Sequence, residues 1–514
     1  MAQQLQTFSI TAPGFYGLNS QDSSLDLASG FALTAINCVI DKYGRIGARK
    51  GWSALNTINA TLGTSSIKSI CELVTAAGVS YILVAGDGAI FKYTGGALVT
   101  LTYGGAGVAP TITDSNWQMV ALDDHIYMFQ SGHIPLLFEP ASSTTTYRRI
   151  TEHVGSAGVP PSGNVALSAY GRLWVTDTVS NKTTIFWSDL LEGYKWFGGT
   201  SGSLNVDQVW PNGGDIIVGL GAHNGFLFIF GKNNILVYSG ATNPATMTLS
   251  DTVTGIGCIA RDSIQNTGTD LVFLSDTGVR SVERTIQEKS APFRDLSKNV
   301  RDELMTGLSG EILANVKSGY SPIDSFYLIT LPSLGLVYCF DNKQELQDGS
   351  SRVTTWNNIT PKSFFYTSNK DLLIGKEGFL GKYGTYQDNG VSYRMSYFTN
   401  HTDLGAPSVS SALKKLSVVV IGGTNQYVTM KWGYDFKENY YSQSANIPEQ
   451  SVSYYGIAEY NTTAEYADGI TLQTLVAYPN GAGKVIQTGY EADINGSALS
   501  IQKLEIQAKN GKIL

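Results

Sequence analysis

The sequence predicts an all-β protein built around a β-propeller of about six to eight blades, with an additional β-rich platform domain. Between Tyr81 and Gly384 one unit recurs about seven times: an apolar run rich in β-branched and aromatic residues, a short turn and a second apolar run. Successive units begin roughly 45 to 55 residues apart, the period expected for four-stranded blades. The turns contain residues that tolerate a positive φ angle, such as Asp87 and Gly88.

The repeated unit is most regular in its two apolar runs. It reads YILVAGDGAIFKY at its first occurrence and FLFIFGKNNILVYS at its fourth. The seven units begin at Tyr81, Ile126, Leu173, Phe226, Leu271, Phe326 and Leu372. Because a radial array grows by adding blades, a chain of 514 residues has room for a propeller and flanking domains.

The segments around the array differ from it in pattern. Residues 1–64 are polar and predict an extended arm that docks on the platform, with one hairpin where Tyr43-Gly44 separates two short strand-like pieces. Residues 65–390 hold the propeller. Residues 391–514 lose the blade period and contain longer strand-like stretches such as LKKLSVVVIGG, which predict the β-rich platform domain.

One segment of the array favours a helix instead of strands. Val300, Leu304 and Leu308 recur at helical spacing behind possible caps at Asp295 and Ser297. The pattern predicts one short helix at a connection between blades.

Charge and apolar patterning exclude several classes of partner. Charged residues make up 15% of the chain and the formal net charge is −7, which disfavours tight binding to DNA phosphates or anionic membranes. No apolar run approaches the roughly 20 residues that span a bilayer, and the amino-terminal stretch does not resemble a secretion signal, so we predict neither membrane insertion nor export by that route. The four cysteines are far apart and are expected to be reduced core residues. They are Cys38, Cys71, Cys258 and Cys339.

The common catalytic motifs are missing from the sequence. It contains no P-loop, HExxH or GxSxG pattern, and its five histidines do not pair at helical spacing, which favours a structural role for each. The adjacent pair Asp123-Asp124 precedes a predicted strand, where a solvated turn is expected. Glycoside hydrolysis needs two carboxyl groups facing each other across a sugar. We therefore expect no catalytic, cofactor-binding or metal-binding residues and no enzymatic activity.

Two groups of residues are candidates for contacts with other proteins. The basic cluster on the predicted hairpin consists of Lys42, Arg45, Arg49 and Lys50, for which a solvated face is the alternative. The tyrosine-rich tail includes Tyr440, Tyr441, Tyr454 and Tyr455, for which ordinary sheet packing is the alternative.

The order of motifs resembles a known family. The stretches SAYGRLWVTDTVSNKTTIFWSDLLEGYKWFGG, GGDIIVGLGAHNGFLFIFGKNNILVYSG and VTGIGCIARDSIQNTGTDLVFLSDTGVRSV follow one another as in the tail nozzle, or tail hub, proteins of short-tailed bacteriophages. The opening SITAPGFYGLNSQDSSLDL and the segment NCVIDKYGRIGARKGW are similar to the amino-terminal region of that family. The resemblance covers most of the chain and consists of aromatic and glycine patterns.

The resemblance implies a structural virion protein without an active site. Nozzle proteins form a ring of six copies at the distal end of the tail, dock on the tail adaptor ring, contact tail fibre or spike proteins and let double-stranded DNA pass during genome ejection. The basic cluster would then belong to a contact between subunits or with the adaptor. The expected location is the virion tail, assembled in the host cytoplasm. A carbohydrate-binding or carbohydrate-active propeller in a receptor-binding part of a virion is the alternative, and a WD-like scaffold is disfavoured because the GH…WD signature is absent.

Overall fold

The chain divides into two compact units. The computed structural model describes residues 5–114, 117–283, 286, 295–405, 407–437, 439–448 and 472–511. The propeller unit comprises residues 54–336 and 360–383, and the platform unit comprises residues 1–53, 337–359 and 384–514. The platform unit therefore combines the predicted arm and carboxyl-terminal domain with an inserted segment, 337–359, that the sequence had assigned to the propeller.

Seven blades form a closed ring in the propeller unit, within the predicted range of six to eight. Blade 1 contains strands Ser69–Val74, Ser80–Gly86, Ala89–Thr94 and Ala97–Thr100. Blade 2 contains Gln118–Leu122, His125–Phe129, Leu136–Phe138 and Thr146–Arg149, and the short strand Thr102–Tyr103 pairs with the last of these. Blade 3 contains Val165–Ala169, Arg172–Thr176, Thr184–Trp187 and Gly202–Asn205. Blade 4 contains Ile217–His223, Phe226–Gly231, Asn234–Ser239 and Thr248–Thr254.

For the last three blades, fewer strands lie among the described residues of the unit. Blade 5 contains Gln265–Asn266, Leu271–Ser275 and Gly278–Ser281. Blade 6 contributes Ser318–Ser321 and Phe326–Leu331, and blade 7 contributes Ser363–Tyr366, Leu372–Gly375 and Leu380–Tyr383. The first strand of each blade lies beside the first strand of the next, and the first strand of blade 7 lies beside that of blade 1. Leu55 N donates to Leu380 O at 2.8 Å, so the start of the unit is bonded to its last blade.

The strands lack polar alternation because both faces of a blade are buried. In blade 4, Leu227 and Ile229 pack in a cluster with blade 3, whereas Phe228 and Phe230, on the opposite face, pack in a cluster with blade 5. The propeller core therefore lies between neighbouring blades. The predicted turn at Asp87-Gly88 is confirmed, with φ angles of 51° and 64°.

The predicted helix is confirmed at Arg301–Leu308, preceded by a 3₁₀ turn at Lys298–Val300. Val300, Leu304 and Leu308 are buried as their spacing predicts. Ser297 has a different role from the predicted cap: its Oγ accepts from Val279 N at 3.0 Å and so anchors the segment to blade 5. The other described 3₁₀ turns are Ile150–Glu152, Pro244–Thr246, Arg261–Ser263 and Leu313–Asn315.

The platform unit contains strands of two sheets. One sheet has the order Leu472–Ala477, Ser411–Gly422, Leu499–Asn510, Ile46–Ala48 and Cys38–Ile40, and Gln6–Thr11 also pairs with Leu499–Asn510. The platform strands of the other sheet are Ser351–Trp356, Gly17–Leu18, Phe31–Ile36, Tyr393–Thr399, Ile486–Ile494, Tyr427–Tyr434 and Tyr441–Asn446. Strand Leu336–Glu345 runs into the inserted segment, and strand Trp52–Ala54 runs out of the arm. The predicted hairpin around Tyr43-Gly44 is confirmed by the pairing of Cys38–Ile40 with Ile46–Ala48.

Candidate functional site: the propeller axis and the platform edge

All seven blades line a cavity of about 370 Å³ on the propeller axis. The lining includes Lys68, Gln118, Val165, Leu220, Asp262, Lys317 and Phe364, which come from successive blades and the segments that lead into them. A concave site with a few convergent polar groups is a candidate ligand site, so the charged residues of the lining determine whether it could bind a ligand or catalyse a reaction.

An ion network crosses this cavity. Asp262 accepts from the Arg261 guanidinium at 2.8 and 2.9 Å and pairs with the Lys317 ammonium. Arg261 also donates to the backbone oxygens of Asn164, at 2.5 Å, and Trp117, at 3.1 Å. Because Trp117 and Asn164 immediately precede blades 2 and 3, the turn before blade 5 braces three blades across the axis.

The Asp262 carboxylate is held in its ionised form. Burial alone would raise its pKa, but the charges and hydrogen bonds of Arg261 and Lys317 lower the pKa to about 2. A carboxylate that stays ionised at neutral pH and is occupied by two cations is poorly suited to proton transfer. The network is suited to holding blades together.

Arg49 is not available to a partner protein, which corrects its assignment to an interface. Its side chain has no exposed area, and its two terminal nitrogens donate to the Asp388 carboxylate at 2.8 and 2.6 Å. Nε donates to Asn37 Oδ1 at 2.9 Å, and the guanidinium lies 4.0 Å from the centre of the Tyr393 ring. Arg49 therefore joins segments of the platform unit that are distant in sequence.

The other residues of the basic cluster differ in exposure. Arg45 is partly buried, donates to Gln502 Oε1 at 2.6 Å and lies 4.2 Å from the centre of the Tyr43 ring. Lys50 is partly buried, and Lys42 is exposed. Of the four predicted basic residues, Lys42 has the side chain most accessible to a partner.

The described tyrosines of the tail lie at the end of a sheet. Tyr440 and Tyr441 are 37% and 48% exposed, so part of each ring faces solvent. Tyr440 OH donates to Gln487 Oε1 at 2.5 Å, and the Tyr441 ring stacks on Trp432 with centroids 6.0 Å apart. Both residues therefore combine sheet packing with an exposed face. Tyr454 and Tyr455 lie outside the described residues.

Other exposed apolar side chains lie on strands near these tyrosines, with exposed polar residues such as Ser442, Gln443 and Ser444 between them. Strand Tyr441–Asn446 is paired on one side with Tyr427–Tyr434 and ends its sheet among the described residues. It adjoins strand Leu472–Ala477, the last strand of the other sheet, and Tyr478 N donates to Gln443 Oε1 at 3.2 Å. Leu472 and Tyr478 are 61% and 72% exposed. We call Tyr427, Tyr440, Tyr441, Leu472 and Tyr478 the platform edge.

The acidic pair considered for glycoside hydrolysis forms a turn, as its position predicted. Asp123 and Asp124 have φ angles of 47° and 58°, are exposed, and connect the first two strands of blade 2. Asp124 Oδ1 accepts from Ala76 N at 2.8 Å. The pair is a hairpin turn rather than two facing carboxylates.

One cluster of side chains was missed by sequence reasoning. His125, Glu139 and His153 converge in blade 2 and the turn after it, where they could hold a metal ion. No short motif links them, because each lies on a different strand end or turn. Their convergence follows from the folding of one blade.

The cysteines have the environment that the sequence predicts. All four are free and buried. Burial raises the pKa of the Cys71 and Cys258 thiols, to about 12 and about 11. These thiols are therefore protonated at neutral pH.

Among the described residues no helix is both long and apolar enough to cross a membrane.

The comparisons with known proteins assign no family to this chain. No family model matches the chain, and no curated protein matches it. Among solved structures it is similar to the WD40 propeller of Doa1, with 12% identity, a TM-score of 0.36 and coverage of 65% of this chain and 96% of that one. The Pan2 WD40 domain of Neurospora crassa has 9% identity, a TM-score of 0.36 and the same two coverages.

A third similarity is to the extracellular domain of the one component system BT4673 from B. thetaiotaomicron. It has 11% identity and a TM-score of 0.41, and it covers 68% of this chain. The chain spans 46% of the length of that domain. The all-β propeller architecture is established by the seven blades of the propeller unit themselves.

Proposed function

We propose that this chain is a structural protein of a short phage tail, forming the distal nozzle ring through its platform unit. Six copies would close the ring, dock on the tail adaptor ring, carry tail fibre or spike proteins and surround the channel through which double-stranded DNA leaves. The observation that carries the proposal is the exposed platform edge. The ordered resemblance to tail nozzle proteins supplies the kind of assembly.

The platform edge has the chemistry of a protein interface. Aromatic side chains are enriched at the centre of such interfaces, and four of the five residues of the platform edge are tyrosines. Among the described residues the edge also coincides with the last strands of two sheets, and the backbone groups of an edge strand can pair with another chain. We assign it to contacts with a neighbouring copy of this protein.

The propeller unit is better suited to bordering a DNA channel than to containing the channel along its own axis. Arg261, Asp262 and Lys317 cross its axis, so the space for DNA would lie between subunits of the ring and not through the blades. The formal net charge of −7 suits a channel that releases DNA, because strong binding of phosphates would slow its passage.

The same cavity gives little support to a carbohydrate-active alternative. Asp262 is the single carboxylate in its lining, and it is paired with two cations. Glycosidases generally use two carboxyl groups. We therefore propose no enzymatic activity.

Native mass spectrometry of the purified chain, alone and mixed with a tail adaptor ring from the same phage, tests the proposal. The wild-type protein is expected to form a sixfold species, at least when the ring is present. A triple variant, Tyr441→Ser, Leu472→Ser and Tyr478→Ser, is expected to remain monomeric while its circular dichroism spectrum stays unchanged.

The matched control removes three apolar side chains of the propeller that are even more exposed. Val108, Val154 and Val159 are 85%, 87% and 89% exposed, and their replacement by serine should leave assembly intact. A wild-type chain that stays monomeric beside the adaptor ring would refute the nozzle. A triple variant that assembles normally would show that the ring uses another surface.

A further inference from the structure

Blade 2 contains a group of side chains with the composition of a transition-metal site. His125 Nε2 and His153 Nε2 each lie 3.8 Å from Glu139 Oε1. The three residues offer ligand atoms that all lie within 4.8 Å of one another. Ligand atoms around a tetrahedral zinc ion are about 3.3 to 3.5 Å apart, given bonds of about 2.0 to 2.2 Å. The two His–Glu separations exceed this spacing by a few tenths of an ångström, and the separation of the two imidazole nitrogens exceeds it by at most about 1.5 Å.

His125 is oriented by its second ring nitrogen. Nδ1 lies within hydrogen-bonding distance of Asp123 O. A carbonyl oxygen only accepts, so Nδ1 carries the proton and the lone pair is on Nε2, which faces Glu139. Histidines that bind metals are commonly held in this way, with the other N–H bonded to a backbone or carboxylate oxygen.

Glu139 is also oriented toward the histidines. It follows strand Leu136–Phe138, and its Oε2 contacts the Arg148 guanidinium on the neighbouring strand Thr146–Arg149. Oε1 is the oxygen that faces both imidazoles. A carboxylate with one oxygen fixed by arginine can direct the other at a cation.

His153 is held by stacking instead of a hydrogen bond. Its ring lies 3.8 Å from the centre of the Tyr194 ring at an interplanar angle of 25°. Tyr194 belongs to the segment between the last two strands of blade 3, so the cluster joins blade 2 to its neighbour. The His125 and His153 rings are 5.4 Å apart, nearly perpendicular to each other.

The protein alone leaves this cluster unsatisfied. His125 Nε2 and His153 Nδ1 are buried and have no hydrogen-bond partner among the described residues. A distance of 3.8 Å is too long for a hydrogen bond to Glu139. Burial lowers the pKa of both histidines, and for His153 the charges of His125 and Arg148 help lower it to about 4. At neutral pH the imidazoles are uncharged, the form that binds metals.

We propose that His125, Glu139 and His153 bind one divalent transition-metal ion, with Zn²⁺ the best match to two imidazoles and a carboxylate. Imidazole selects zinc, cobalt or nickel over magnesium and calcium, which prefer all-oxygen sites. The ion would satisfy the buried Nε2 of His125 and bind the turn after blade 2 to the second and third strands of that blade. The site is independent of ring assembly, because all of its ligands belong to the propeller unit.

Cobalt and zinc titrations of the untagged full-length chain, stripped with a chelator, test the site. One equivalent of Co²⁺ should give the visible absorption of a bound ion and be displaced by Zn²⁺, and Zn²⁺ should raise the melting temperature. Glu139→Gln and His153→Ala should each weaken Zn²⁺ binding by at least roughly 10- to 100-fold, the loss typical even of residues that only support a ligand. Mg²⁺ should not compete.

His133→Ala is the matched control, because His133 lies in the same blade and outside the cluster. It should bind Zn²⁺ as the wild type does. Failure of the wild type to bind one equivalent overturns the site, as does unchanged binding by Glu139→Gln, whose shape is conserved. Circular dichroism of each stripped variant distinguishes lost folding from lost binding. If His153→Ala is unfolded, Zn²⁺ binding by Glu139→Gln alone decides whether the site exists.

Discussion

The two units of this protein are built from contacts of different range. In blades 1, 3 and 4 of the propeller, each strand pairs with the strand next to it in sequence, as where Ser80–Gly86 pairs with Ala89–Thr94. In the platform unit Gln6–Thr11 pairs with Leu499–Asn510, and Phe31–Ile36 pairs with Tyr393–Thr399. Local pairing has a low entropic cost of closure, so the blades can form early, whereas the platform needs both ends of the described chain.

The largest expected effect comes from breaking a long-range contact of the platform. Arg49→Met leaves the Asp388 carboxylate, which is only 10% exposed, without its partner, and should destabilise the platform by about 3 to 5 kcal/mol. Hydrogen exchange should show lost protection in the platform strands and little change in blades 1 to 4. Lys42→Ala, at an exposed position, is the control and should change stability by less than about 0.5 kcal/mol. Equal loss of protection in both units would contradict the comparison.

The axial ion network of the propeller should give a smaller, pH-dependent effect. The pKa of Asp262 falls from 3.8 to about 2 on folding, so the ionised carboxylate stabilises the folded state above about pH 4 and loses this contribution between about pH 4 and pH 2. A shift of nearly two units corresponds to about 2 kcal/mol.

Asp262→Asn should therefore lower the free energy of unfolding of the propeller at pH 7 and flatten its decline in acid. Urea unfolding followed at pH 7, pH 4 and pH 2.5 measures both changes. Asp302→Asn, whose side chain is 73% exposed, should leave the acid limb as in the wild type. If the free energy of unfolding of Asp262→Asn fell in acid as steeply as that of the wild type, the Asp262 network would not be the cause of the acid dependence.

The smallest expected effects compare one glycine turn in each unit. Gly88 has a φ of +64°, and a methyl group there would make only an ordinary contact with Ile112 O at 3.4 Å, so Gly88→Ala should cost about 1 kcal/mol, mainly from backbone strain. Gly44 has a φ of +72°, and a methyl group there would approach Cβ of Pro13 to 2.5 Å. Gly44→Ala should cost more than Gly88→Ala, measured by chemical unfolding of both variants. The reverse order would show that the platform turn can shift more easily than its packing implies.

The difference in contact range also explains why the sequence predicted the propeller better than the platform. Runs such as FLFIF are apolar throughout because both faces of each blade are covered, and their turns lie within the same short stretch. Arg49 looked like a surface charge because Asp388, its partner, lies 339 residues away.

The candidate sites follow the same division. Tyr440 and Tyr441 were predicted from their residue type, whereas Leu472 and Tyr478 join them through two different sheets. The axial network around Asp262 and the cluster around Glu139 depend on side chains from strand ends and turns, positions that no spacing rule connects. Residue type indicated the tyrosines of the platform edge, whereas the Asp262 network and the Glu139 cluster can be recognised only in the folded structure.

The pairing of Gln6–Thr11 with Leu499–Asn510 also has a mechanical consequence. The strands are antiparallel, with Gln6 opposite Ala508 and Thr11 opposite Lys503. Tension that enters at Gln6 and leaves at Asn510 would load the bonds at that end of the ladder first and open them one after another, as in a zipper. Pulling across this pair should therefore need little force, and the blades would remain intact while the ladder opens.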